Sequence, residues 1–127
     1  MTIVTSGPRP LMFLLTEANG QRSRANKTIP SGSGVVVSGQ VCAIVTATGA
    51  VKPLAAGASD GTQTAACISM YTYDATSAAV MGAFIDADAE VIEEELVWPV
   101  GISGPQKLTA VADLRKAGIK ILPASFV

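Results

Sequence analysis

From residue 35 onward the chain alternates short apolar runs with small polar turns, and no run is long enough for more than a strand or two. Residues 35–37, 41–47, 66–73 and 79–91 are rich in β-branched, aromatic or small apolar side chains, the composition of strands. Ser38-Gly39, Thr48-Gly49, Ala58-Ser59-Asp60-Gly61 and the stretch 74–77 supply turn chemistry between them. This pattern predicts a predominantly β body. One helix is predicted over 103–117, because Ser103 and Gln106 stand at capping-box spacing with Pro105 in the first turn. Leu108, Val111, Ala112 and Ala117 give it an apolar stripe, and Gly118 is placed to end it in a left-handed cap. Residues 119–122 alternate weakly and are predicted to return as a strand, which Pro123 stops.

The first 27 residues follow a different rule. They contain Pro8 and Pro10, the apolar run Pro10-Leu11-Met12-Phe13-Leu14-Leu15 and an Asn19-Gly20 turn signal, with neither a helical nor a strand period. Their net charge is +3, against −4 for the remaining hundred residues. The expected organisation is an extended N-terminal arm over 1–27 and a β-rich domain over 28–127. An apolar, locally basic arm that cannot fold alone needs a partner surface. Adding a strand to a partner's open sheet edge would satisfy its backbone, and the two prolines would limit register slip.

Composition narrows the function. The chain has 127 residues, 49% of them apolar and only 15% charged, where an average soluble chain has roughly 25% charged residues. That favours an oligomer or an assembly component. Net charge is −1, so no overall basic field draws in nucleic acid or an anionic membrane. The chain has no histidine, which removes Ser-His-Asp and Cys-His catalysis and most catalytic zinc sites. Cys42 and Cys67 lie 25 positions apart in apolar runs and read as buried thiols rather than a disulfide framework or a metal motif. The strongly apolar run over 11–15 is far short of a membrane span, and the prolines before it argue against a signal peptide, so synthesis in the cytoplasm is expected.

The remaining candidate chemistry has bland readings. Asp86, Asp88 and Glu90 alternate with Ile85, Ala87, Ala89 and Val91, which on one strand makes a solvated acidic face. Glu93-Glu94-Glu95 reads as an exposed bend or a patch facing a basic partner. Gly32-Ser33-Gly34 precedes a strand rather than a helix, and no Gly-Lys-Ser or Gly-x-Ser-x-Gly motif occurs. Trp98-Pro99 joins a large aromatic to a rigid residue and suits either the core or an interface. No catalytic residue, metal ligand, cofactor or small-molecule substrate is expected.

Several segments, in order, resemble motifs of the lambda-type bacteriophage head decoration proteins. They are Leu14-Leu15-Thr16-Glu17-Ala18-Asn19-Gly20 with Arg22-Ser23-Arg24, Ile44-Val45-Thr46-Ala47-Thr48-Gly49, and Ala58-Ser59-Asp60-Gly61-Thr62-Gln63-Thr64-Ala65. Asp74-Ala75-Thr76, Glu90-Val91, Leu96-Val97-Trp98-Pro99 and Leu114-Arg115-Lys116-Ala117-Gly118-Ile119 continue the series. The resemblance covers roughly residues 14–122; the stretch before Leu14 carries no motif of the family, and Cys67 stands where relatives often have a small residue.

The resemblance implies a mainly β, β-clip-like fold, in which short strands form an incomplete barrel, with one C-terminal helix and an extended N-terminal arm. It also implies a non-enzymatic homotrimer on the outer surface of the expanded phage head, at local threefold positions, cementing the major capsid protein against DNA pressure. Carried onto this chain, capsid binding falls on Pro10, Leu11, Phe13, Leu14, Arg22 and Arg24, and Trp98 and Pro99 are the expected trimer contacts. The rival readings are a small trimeric β enzyme of the nucleotide-hydrolase kind and another virion part, such as a tail protein.

Overall fold

A computed structural model of the chain describes residues 12–18 and 22–123. The strands are β1 (Leu14–Glu17), β2 (Arg24–Ile29), β3 (Gly34–Val36), β4 (Val41–Ile44), β5 (Val51–Pro53), β6 (Ala65–Ser69), β7 (Tyr73–Ala75), β8 (Val80–Ile85), β9 (Ala89–Ile92) and β10 (Ile119–Leu122). A 3-10 turn, Glu93–Glu95, follows β9, and helix α1 (Gly104–Lys116) precedes β10. The fold is mainly β with a single helix among the described residues, and its sheets do not close into a barrel.

The largest sheet has the order β2-β8-β6-β4-β5, the second has β1-β9-β10, and β3 pairs with β7. In the large sheet, neighbouring residues face opposite ways. Val41 and Ala43 of β4, Ile68 of β6 and Ile85 of β8 enter one buried cluster, while Cys42, Cys67 and Phe84 enter another on the opposite face. A sheet covered on both sides needs apolar residues at successive positions, which accounts for the nearly unbroken apolar runs of these strands. The first cluster also holds Phe13, Val91, Leu114, Ile119 and Ile121, and so welds the β1-β9-β10 sheet and α1 to the large sheet.

Two predicted strands are interrupted. The stretch 79–91 divides into β8 and β9 because Ile85 ends in the large sheet while Ala89 begins in the small one. Asp86, Ala87 and Asp88 make the turn between them, with Asp88 at φ +45°. The three carboxylates therefore do not form the face of one strand. Asp86 lies 3.8 Å from Lys27, Asp88 lies 3.5 Å from Arg22, and Glu90 accepts a 2.7 Å hydrogen bond from Thr16. The stretch 66–73 likewise stops at Ser69, whose hydroxyl donates to the Tyr71 carbonyl at 2.7 Å, and the predicted turn at 74–77 overlaps β7, which runs through Ala75 against β3.

The helix starts as expected. Gln106 N–H donates to Ser103 Oγ at 3.2 Å, and Ser103 N–H donates to Gln106 Oε1 at 3.0 Å, a reciprocal capping box. Its buried face differs from the predicted stripe. Ala110 and Leu114 are buried, whereas Leu108 is 72% exposed and Ala112 is exposed too. The stripe is shifted because β6 and β10 cover α1 along the Ala110/Leu114 line, with Val111 only partly buried beside it. Gly118 ends the helix at φ +90°, where a Cβ would stand 2.9 Å from Asp88 Oδ1. β10 then returns parallel to β9, making a β–α–β crossover. No helix of the described residues is long and apolar enough to cross a membrane.

Candidate functional site

β1 forms one edge of its sheet, with only β9 beside it in the described structure. Leu14 pairs with Val91, Thr16 with Glu90 and Glu17 with Ala89, and the register slips at Leu15. The slip changes which side chains face inward. Phe13, one residue ahead of the strand, is 1% exposed in the main core, and its carbonyl accepts from Ile92 N–H at 2.7 Å. Leu14 packs partly buried against that core, and Leu15 points outward at 39% exposure.

Phe13 is thus an internal anchor rather than a free capsid-binding side chain, since its ring is already surrounded by its own chain. Gly39 makes room for it: at φ +85° a Cβ on this residue would lie 3.4 Å from the Phe13 ring and 2.9 Å from the Glu95 carbonyl oxygen. Residue 27 is also no structural boundary, because β2 runs through it to Ile29, paired along its length with β8. Pro10 and Leu11 lie outside the described residues, as do Asn19 and Gly20.

Behind β1 sits a polar clasp. Arg24 Nε donates to both Glu17 oxygens, at 2.9 and 3.2 Å, and Arg24 Nη2 makes a further, shorter contact with Glu17 Oε1. Buried Ser23 donates its hydroxyl to Glu17 Oε2 at 2.6 Å. Hydrogen bonds from Arg24 first, and then from Ser23, hold the Glu17 carboxyl down to about 2, against an opposing push from burial. Arg24, expected to bind the capsid, is therefore engaged by a carboxylate of its own chain. Arg22 differs: its side chain is 71% exposed, with Asp88 3.5 Å from Nε. Thr16, Glu17, Arg22, Asp88, Glu90 and Lys120 line an open cleft of about 660 Å³ at this corner.

Trp98 and Pro99 lie in the segment leading to α1. Trp98 packs half-buried against the main core, and Lys107 Nζ stands 5.2 Å from its ring centroid. Its indole Nε1–H is buried without a hydrogen-bond partner among the described residues. Pro99 is half-buried beside Val100, which is fully exposed. The core reading of Trp98 holds for its ring, and the exposed Val100 stands close by in the chain.

The Glu17–Ser23–Arg24 clasp was not foreseen from the sequence. Its signal is a carboxylate and an arginine on either side of the Asn19-Gly20 turn signal, but the arginine is assigned to an outside partner in the sequence reading. Among the described residues no group of three or more His, Cys, Asp or Glu side chains is placed to hold a metal ion.

The polar groups around β1 are engaged with one another rather than aimed at one reacting atom, and they sit on a β-rich body in which β1 is an edge strand among the described residues. This is the construction of a structural binding module. The family model described as Bacteriophage lambda head decoration protein D matches residues 3–119, and the chain belongs to that family. It is a family of structural capsid decoration proteins of the virion, not of enzymes. The match takes in the stretch ahead of Leu14 in which no family motif is legible. No individual curated protein matches the chain.

Proposed function

We propose that this protein binds as a homotrimer to the outer surface of the expanded phage head, at local threefold positions, and cements subunits of the major capsid protein against the pressure of packaged DNA. The observation that carries the reading is a family match over residues 3–119, which includes the segment ahead of β1. That segment, with Pro10 and Leu11, is the capsid-binding arm, and Leu14, Arg22 and the outer edge of β1 form its root. A capsid strand laid along β1 would gain backbone hydrogen bonds, and Arg22 would set its register through a charge-assisted contact. Arg24 acts behind this surface by holding Glu17. Trp98 and Pro99 contribute to the contact between copies, where the indole N–H finds an acceptor on a neighbour.

Trimerisation makes weak arms sufficient. Once one arm docks, the other two see a high effective concentration of capsid sites, so modest contacts combine into tight seating. The test is removal of residues 1–11 and measurement of binding to expanded, undecorated heads. A cut further along would remove Phe13 and β1, and would confound loss of binding with loss of fold. The expected result is lost occupancy and lost heat resistance of the particles, with unchanged thermal unfolding of the free protein. Occupancy equal to that of the full chain would overturn the arm assignment.

A further inference from the structure

Cys42 and Cys67, distant in sequence, are direct register partners. Cys42 on β4 faces Cys67 on β6 across an antiparallel pair. Both are fully buried, and both enter the same apolar cluster with Ile29, Val36, Val51, Ala75 and Phe84. Opposed residues of an antiparallel pair project to one face, with Cα atoms roughly 4.5 or 5.5 Å apart according to the kind of pair. Either separation lies inside the roughly 4.4–6.8 Å range that a disulfide spans. Both cysteines are free thiols in the structure, and the chain has no others.

We propose that Cys42 and Cys67 are a latent cross-strand disulfide, a staple between β4 and β6 that closes on exposure to a low-molecular-weight disulfide and preserves the native fold. In the exchange, the thiolate of one cysteine attacks a sulfur of the small disulfide, expels one small thiol and leaves a mixed disulfide. The second cysteine then attacks the protein sulfur of that adduct, the Cys42–Cys67 bond forms, and the second small thiol departs. Two protein thiols are oxidised, the small disulfide is reduced to two thiols, and the two protons end on those thiols.

Burial controls the timing. It pushes the Cys67 thiol up to about 12 and raises Cys42 as well, so the attacking thiolate is scarce in the folded protein. Closure therefore belongs to chains that meet the oxidant before β4 and β6 have packed, or while the strands open locally. A protein folded in a reducing compartment keeps its thiols. The same protein opened in an oxidising medium gains a covalent tie across its central sheet.

The test is to unfold the full chain and refold it either in a mixture of oxidised and reduced glutathione or in excess reductant. Intact mass and free thiols under denaturing conditions, far-ultraviolet circular dichroism and thermal unfolding are then compared. The oxidised sample is expected to be a single chain lacking two hydrogens and any free thiol, with unchanged dichroism. A midpoint raised by about 10 °C and returned by reductant is expected from closing a loop of this length. Persistently free thiols, disulfides formed only between chains, or a staple that lowers the midpoint or alters the dichroism would overturn the proposal. None of these outcomes bears on capsid binding.

Discussion

Substitution of Phe13 by Ala separates an anchor of the fold from a residue held out for a partner. Phe13 sits one residue ahead of β1, almost fully buried among Val41, Ile68, Val91 and their neighbours in the main cluster. Truncating a buried phenylalanine to alanine typically costs about 3–5 kcal/mol, from lost burial plus the cavity left behind. A domain of this size is stabilised by about 5–15 kcal/mol in all, so the loss is a large share of the total. The thermal midpoint should fall by on the order of 10–20 °C. In urea unfolding of the free protein the midpoint concentration should drop while the slope stays the same, the mark of a change in stability without a change in the surface exposed on unfolding. Leu15, two positions on and 39% exposed, is the internal control, and its alanine variant should lose less than about 1 kcal/mol. A Phe13→Ala protein that unfolds at the wild-type urea concentration would show that the ring does not support the body, and Phe13 would return to the list of capsid contacts.

The Glu17 clasp predicts an acid-sensitive contribution to stability. The folded carboxyl titrates near 2 against an ordinary value of 4.5, so its contribution is complete above the unfolded value and disappears as pH falls from 4.5 toward 2. Glu17→Gln should therefore destabilise the free protein at neutral pH by roughly 1 kcal/mol, a modest figure because Arg24 is partly open to solvent and screened. The same variant should flatten the stability profile across that acid range, and urea titrations at neutral and acid pH that leave wild type and variant parallel would remove the clasp as an energetic feature. Ser103→Ala should cost about 1 kcal/mol by breaking the capping box, read as a lower thermal midpoint; an unchanged midpoint would mean that the packing of Ala110 and Leu114 alone holds the helix.

Local signals were the legible part of this sequence. The Ser103/Gln106 cap, Gly118 and the return strand at 119–122 depend on residues within one or two turns of each other, and all appear at the expected places. Strand boundaries failed where tertiary geometry decides them: nothing between Ile85 and Ala89 announces that the chain changes sheets, although Asp86 and Asp88 were available as turn residues. Phe13 was misplaced for a related reason. A run of six apolar residues reads as uniformly sticky, and only the folded chain separates buried Phe13 from outward Leu15. Arg24 is assigned to the capsid through the family resemblance, which does not reveal that its guanidinium bonds Glu17 of its own chain.

The same misplacement clarifies how a clamp of this kind bears load. On the proposed reading, tension from the capsid enters the body at residue 12, and an arm joined to the body only by solvent-exposed contacts would peel away from that point. Here the first residue inward is Phe13, with its ring in the main core and its carbonyl bonded to Ile92 N–H at 2.7 Å. The next element, β1, is antiparallel to β9, which is itself paired with β10 and packed through the core against α1. At the far end of β1 the chain is tied again, by Glu17 to Ser23 and Arg24 at the start of β2. Detachment would have to withdraw an aromatic anchor, strip a strand from its sheet and open a charge-assisted clasp within one short segment. The side chain assigned to gripping the shell thus serves the grip indirectly: it holds the root of the arm, so that residues ahead of it can be pulled without unravelling the domain behind them.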